Sequence, residues 1–131
     1  MDLNDLKPTK DTLEVILLHP KTLDALTNAD GSEMTITVYG PHTAPFKTAI
    51  HEATNKRIQK AAKNKKLSVT AEEVEDAGLE FLAKVTKEWD ITLGGKKPVA
   101  DLASVTQVYR DFPWIKDQVN EAIEDINSFL K

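Results

Sequence analysis

A chain of 131 residues is long enough for one modest hydrophobic core and short for two, so a single domain over residues 1–131 is expected. Hydrophobic residues make up 40% and charged residues 29%, the balance of an ordinary globular protein and not of a disordered or collagenous one. The chain has no cysteine, which excludes disulfides, thiolate metal sites and a cysteine nucleophile, and its net charge of −4 argues against a dedicated nucleic-acid binder.

Residues Met1 to Lys10 are polar, contain Pro8 and lack the basic-then-apolar plan of a signal peptide; they are expected to form a flexible arm. No apolar run reaches membrane-spanning length, so a soluble cytoplasmic protein is expected. Thr12 to Leu18 is a short apolar run rich in β-formers. Met34 to Tyr39 alternates, with Met34, Ile36 and Val38 on one side and Thr35, Thr37 and Tyr39 on the other. With Asp30-Gly31 as a turn signal just before the second run, the two predict an antiparallel hairpin with a long loop. Two strands alone are marginal in water, so a helix or another subunit must cover or extend them.

Gly40-Pro41 breaks the second strand, and Thr43 then caps a helix over about Ala44 to Asn64. Phe46, Ala49, Ile50, Ala53, Ile58 and Ala61 give it a thin apolar face. Lys47, Lys56, Arg57, Lys60 and Lys63 make it basic, and Lys65 and Lys66 follow it. Thr70 and Glu73 have capping-box spacing, with Val69 and Val74 as a hydrophobic staple, and open a helix that carries Val74, Ala77, Gly78, Phe81, Leu82 and Val85 inward, with Trp89 one turn further on. Its other face is acidic, so the two helices are expected to pair antiparallel. Gly94-Gly95-Lys96-Lys97-Pro98 breaks the chain. Asp101 or Ser104 then caps a short helix to about Asp111, with Leu102, Val105, Val108 and Tyr109 inward. Finally, Ile115, Val119, Ala122, Ile126 and Phe129 are spaced four, three, four and three apart, the stripe of one helix running to Leu130, with Pro113 in its first turn and Asp111 as its cap. The sum is an α+β fold, a small N-terminal antiparallel β-hairpin followed by about four helices and mainly α.

Catalytic patterns are incomplete. His51-Glu52 begins like a zinc-protease helix, but the second histidine that the metal needs is Asn55. No serine sits in a GxSxG elbow, and Gly94-Gly95 lacks the other glycines of a phosphate loop. No enzyme activity, cofactor or metal is expected. The lysine-rich helix could meet phosphates, yet it also complements the acidic helix, and nucleic acid is not the expected partner. Tyr109 and Trp114, beside Phe112-Pro113, form an aromatic corner that either seals a helix junction or anchors a partner. Tyr109, Trp114, Lys56, Lys60 and Lys63 are the candidate partner-binding residues.

Several weak motifs occur in a meaningful order. A strand ends in Leu18-His19-Pro20, a second in Val38-Tyr39-Gly40, and a lysine-rich helix follows. Glu88-Trp89-Asp90 precedes a glycine turn. Then come Val108-Tyr109, Phe112-Pro113-Trp114-Ile115, Gln118-Val119 and Asn127-Ser128-Phe129. Over most of residues 12–130 the chain resembles the tail assembly chaperones of long-tailed, siphovirus-type bacteriophages. Val99-Ala100-Asp101-Leu102 departs from the Phe-Ser or Phe-Thr cap of that family. The resemblance implies a non-catalytic protein of the host bacterial cytoplasm, absent from the finished particle. It would bind the tape measure protein, keep it soluble, and help tail tube protein assemble around it. Several members of that family also exist as a longer frameshifted product. Self-association into a homo-oligomer is expected as well, from strand edges and a heptad-like stripe. The alternatives are a structural tail or neck connector of the particle, and a small DNA-binding regulator using the Lys56 to Lys66 face.

Overall fold

Residues 2–64, 71–125 and 129 are described by a computed structural model of the protein. The two predicted strands are present as β1 (Thr12–Ile16) and β2 (Thr35–Tyr39), and they pair antiparallel with Leu13 opposite Val38 and Val15 opposite Ile36. Because side chains alternate along a strand, this register sends Leu13, Val15, Ile36 and Val38 to one face and Glu14, Ile16, Thr35 and Thr37 to the other. Ile36 and Val38 are fully buried. The loop between the strands folds back on itself. The Leu17 N–H donates to the Met34 carbonyl, that of Leu26 to Leu17 and that of Met34 to Leu26. Asp30-Gly31 does form a turn: Gly31 has φ +88°, and the Asp30 carboxylate accepts from both the backbone and the hydroxyl of Ser32.

A third strand corrects the sequence reading. The acidic helix does not run on to Trp89. It ends as α2 (Ala71–Lys84), and β3 (Thr86–Asp90) pairs antiparallel with β2, which becomes the central strand of a β1-β2-β3 sheet. Leu82, Val85 and Trp89 keep helical spacing across the boundary, which hides it. Pairing with β2 outweighs the local preference. Trp89 lies opposite Ile36 and its indole N–H donates to the Pro98 carbonyl at 2.8 Å.

Between β2 and β3 the chain makes α1 (Ala44–Asn64) and α2. Thr43 is buried and its hydroxyl donates to the Gly40 carbonyl at 2.7 Å, fixing the entry to α1. The capping box and staple at Val69 and Thr70 lie outside the described residues. After Gly94 and Gly95, both at positive φ, Asp101 caps α3 (Leu102–Asp111) by accepting from the Ser104 N–H at 2.7 Å. This settles the open choice of cap in favour of Asp101, and the same bond holds its carboxyl below the usual carboxylate range. Val105, Val108 and Tyr109 point into the core as expected, but Leu102 is half exposed.

The last helix, α4 (Pro113–Glu124), is shorter than its stripe suggests. Asp125 is extended, and Ile126 lies outside the described residues. Phe129 is fully buried, but from beyond the helix end: its ring meets His42 edge-on at 6.0 Å, and its carbonyl accepts the N–H groups of Thr9 and Lys10. These non-local contacts hold it. They also tie down the end of the N-terminal arm, whose Leu3–Leu6 segment is an exposed 3-10 turn. Pro113 stands in the first turn of α4 as predicted. The cap position is Phe112, without a side-chain bond, because Asp111 instead accepts from Gln107. Ile115, Val119 and Ile123 pack against the sheet with Leu79, Leu82, Val105, Val108 and Tyr109, completing a single core.

Candidate functional site

The α1–α2 hairpin is anchored at one end only. Phe46 and Ala49 of α1 and Leu79, Leu82 and Ala83 of α2 belong to the core, and Phe46 meets Phe81 edge-on at 5.2 Å. Beyond them every described side chain is exposed, from Ile50 to Gln59 on α1 and from Ala71 to Gly78 on α2. The inward face assigned to Val74, Ala77 and Gly78 therefore does not meet the core, because the hairpin projects past it. Ile58 and Val74 are left 60% and 57% exposed.

Charge pairing between the two helices is as the sequence predicted. Lys56 meets Glu80 at 3.0 Å and Lys84 meets Glu52 at 2.8 Å, so four residues forward on one helix match four back on the other, the signature of an antiparallel pair. The Lys56 bond holds the Glu80 carboxyl below its ordinary range, and the Glu52 bond raises Lys84. Such exposed pairs contribute about 0–1 kcal/mol each and select orientation more than they hold the fold. Arg110 of α3 reaches Asp76 of α2 at 3.0 Å in the same manner.

The five candidate residues do not form one site. Lys56 is engaged with Glu80. Lys63 is exposed in the last turn of α1, where a cation complements the helix dipole. Lys60 belongs to α1, but its side chain lies outside what is described. Tyr109 is 1% exposed, and its hydroxyl is 2.7 Å from that of Thr86. Burial pushes the phenol up to about 12, against the opposing effect of that hydrogen bond. A partner cannot touch it in this conformation. Trp114 is half-buried, edge-on to Phe112 at 6.1 Å, and borders a small apolar pocket of about 190 Å³ with Leu26, Met34, Leu93 and Phe112. The pocket is the size of one large side chain. The three histidines stand apart: His19 accepts the N–H groups of Lys21 and Thr22, His42 packs on Phe129, and His51 is exposed on α1.

One surface was not legible without β3. On the face of the sheet turned from the core, Glu14, Thr37 and Glu88 are aligned across the three strands, and Thr35 and Asp90 form the next row beside Ile16. Together with Ser32, Glu33 and Trp89 they line a shallow depression of about 540 Å³, with no lysine or arginine in its lining among the described residues. Lys97 neutralises Asp90 from outside at 3.0 Å. Glu14, Glu33 and Glu88 have no ion-pair partner among the described residues.

No family model matches the chain, and neither a curated protein nor a solved structure matches it. Among the described residues no helix is long and apolar enough to cross a membrane.

Proposed function

We propose that this protein is a non-catalytic assembly chaperone of a bacteriophage tail, acting in the infected host cell. It binds the tape measure protein, keeps that long helical chain soluble, and promotes assembly of tail tube protein around it. The observation that carries this reading is the projecting pair of helices, with Ile58 and Val74 held in water along it. Apolar residues presented in this way suit the apolar stripe of a client helix, and the flanking charges keep the free protein in solution. The motif order read from the sequence supplies the identity of the client. The duplex-binding reading loses one of its cations, because Lys56, the first lysine of the Lys56 to Lys66 face, is already paired with Glu80.

Co-expression with the tape measure protein of the same phage tests the proposal. The expected result is a soluble tape measure protein that co-purifies with this chain and is lost from the soluble fraction with the variant Ile58→Asp, Val74→Asp. A tape measure protein that stays insoluble and unbound refutes it. Recovery of this chain in washed, purified virions would instead favour a structural connector.

A further inference from the structure

Strand β1 lies at the edge of the sheet, and its ladder shows which backbone groups face outward. The Gly40 N–H donates to the Asp11 carbonyl at 2.8 Å and the Leu17 N–H to the Met34 carbonyl at 2.9 Å, so the odd-numbered residues of β1 turn their backbone groups to β2. In an antiparallel pair the residues between them turn theirs the other way. On that outer side both ends are closed from within the molecule. The Lys10 N–H donates to the Phe129 carbonyl at 3.1 Å. The N–H and C=O of Leu18 are both held by the Gln118 amide. Between these two stops, the N–H and C=O groups of Thr12, Glu14 and Ile16 face outward with no partner among the described residues. The opposite edge of the sheet differs, because the chain after β3 returns to it: the Pro98 carbonyl meets the Trp89 indole and Lys97 meets Asp90.

The side chains select the occupant. A strand added to this edge sets one residue directly opposite Glu14 and on the same face, with Cα atoms about 5.5 Å apart. Glu14 has no ion pair among the described residues, and Glu88 stands in the same row two strands away. A cation opposite Glu14 is favoured there and an anion is repelled. A second copy of β1 is therefore a poor occupant. Antiparallel pairing confined to Thr12–Ile16 sets Glu14 against Glu14 of the other copy. Sliding the register by two residues brings in Leu18 or Lys10, whose N–H groups are already taken. The helical stripe of α4, which the sequence offered for self-association, is buried in the core. We propose that the outer edge of β1 binds an extended segment of a partner protein by antiparallel strand addition, with a lysine or arginine of that segment opposite Glu14 and a β-branched or aromatic residue against the half-exposed Ile16. The inference does not depend on the chaperone reading, and its test uses this chain with synthetic peptides.

The probe is a dye-labelled peptide, Ser-Val-Thr-Lys-Thr-Val-Ser, whose lysine lies opposite Glu14 when its valines lie opposite Thr12 and Ile16. Fluorescence polarisation with the wild-type chain at low salt is expected to show saturable binding that weakens as salt rises. The same peptide with glutamate in place of lysine binds roughly tenfold more weakly. N-methylation of the valine and lysine amides, which face β1, abolishes binding, whereas N-methylation of the threonine amides, which point away, leaves it within about threefold. Glu14→Lys reverses the preference between the lysine and glutamate peptides. Glu14→Gln binds both alike, and serves if the reversed variant fails to fold. A wild-type chain that binds no peptide at low salt overturns the proposal. So does equal loss with both methylation patterns, which would mean contact through side chains alone, or a preference that ignores Glu14. Wild-type chain that self-associates on sedimentation and is dissociated by the peptide would make a second copy the occupant, and overturns it as well.

Discussion

Gln118 bonds the backbone of Leu18, 100 residues away in sequence and just past β1, and its removal tests how α4 is held to the sheet. From the buried side of α4 its amide reaches the chain just past β1. Oε1 accepts the Leu18 N–H at 2.9 Å and Nε2 donates to the Leu18 carbonyl at 2.8 Å, so one side chain replaces a strand partner for both backbone groups. Gln118→Ala removes both bonds. At about 0.5–1.5 kcal/mol net for each, the loss is roughly 1–3 kcal/mol. Leu18 is only partly buried, so water can reach part of the vacated site, and the expected value is about 2 kcal/mol. Gln118→Glu separates donor from acceptor. Its carboxylate can still accept from the Leu18 N–H, but its second oxygen faces the Leu18 carbonyl. Only the protonated acid can donate there, so its pKa is raised in the folded state. The stability contributed by that bond is present below the unfolded value and is lost as pH rises through the folded one. Urea unfolding followed by the two tryptophans therefore should find the Glu variant near wild type at pH 4 and about 1–2 kcal/mol weaker at pH 7, each against wild type at the same pH. An Ala variant within about 0.5 kcal/mol of wild type, with a Glu variant whose deficit ignores pH, would refute the reasoning and show that solvent satisfies Leu18.

Other outcomes follow from the same contacts. Tyr109 keeps its proton in the folded state to about 12, against an ordinary value of 10.0, so wild-type stability should fall as pH rises from 10 to 12. The loss approaches about 3 kcal/mol, and Tyr109→Phe, which has no such proton, should flatten that part of the profile in denaturant titrations. Gly40→Ala would place a methyl 2.6 Å from His42 Cε1 and 3.0 Å from Phe129 Cδ1, and a loss of about 1–3 kcal/mol is expected by thermal unfolding. An unchanged midpoint would mean that His42 swings away freely. Ile58→Asp with Val74→Asp should leave the midpoint within a degree or two, roughly 0.5 kcal/mol, since both residues already face water. A large drop would place them in contact with something.

Local signals were enough for the hairpin strands, the bounds of α1, the Asp101 cap and the pairing of a basic with an acidic helix. Each rests on residues close in sequence, or on charge that only one orientation satisfies. β3 was missed because Lys87 and Glu88 suit a helix and Leu82, Val85 and Trp89 keep helical spacing. The countersignal was Thr86, Trp89, Ile91 and Thr92 running up to Gly94, but only β2, far away in sequence, makes a strand of it. With β3 absent, the row from Glu14 to Glu88 could not be seen. Phe129 was expected to be buried, and is, yet by contacts with Gly40, His42 and the N-terminal arm that no periodicity encodes. Tyr109 shows the limit of reading aromatics as anchors: the spacing that put it at a helix junction is the spacing that buries it.

The central strand also has a history in time. β1 reaches β2 across residues 17–34, whereas β3 must return across residues 40–85, and a longer closure costs more chain entropy before any ladder bond forms. The contacts within α1 and α2 are local and cost less closure entropy than that return, so β3 is expected to zip on last, with Trp89 fluorescence marking the final phase. Until it does, one edge of β2 stands open to any extended chain nearby. During synthesis at the ribosome that interval lasts while the whole hairpin is made, and the length of the hairpin sets how long the half-built sheet is exposed to mispairing.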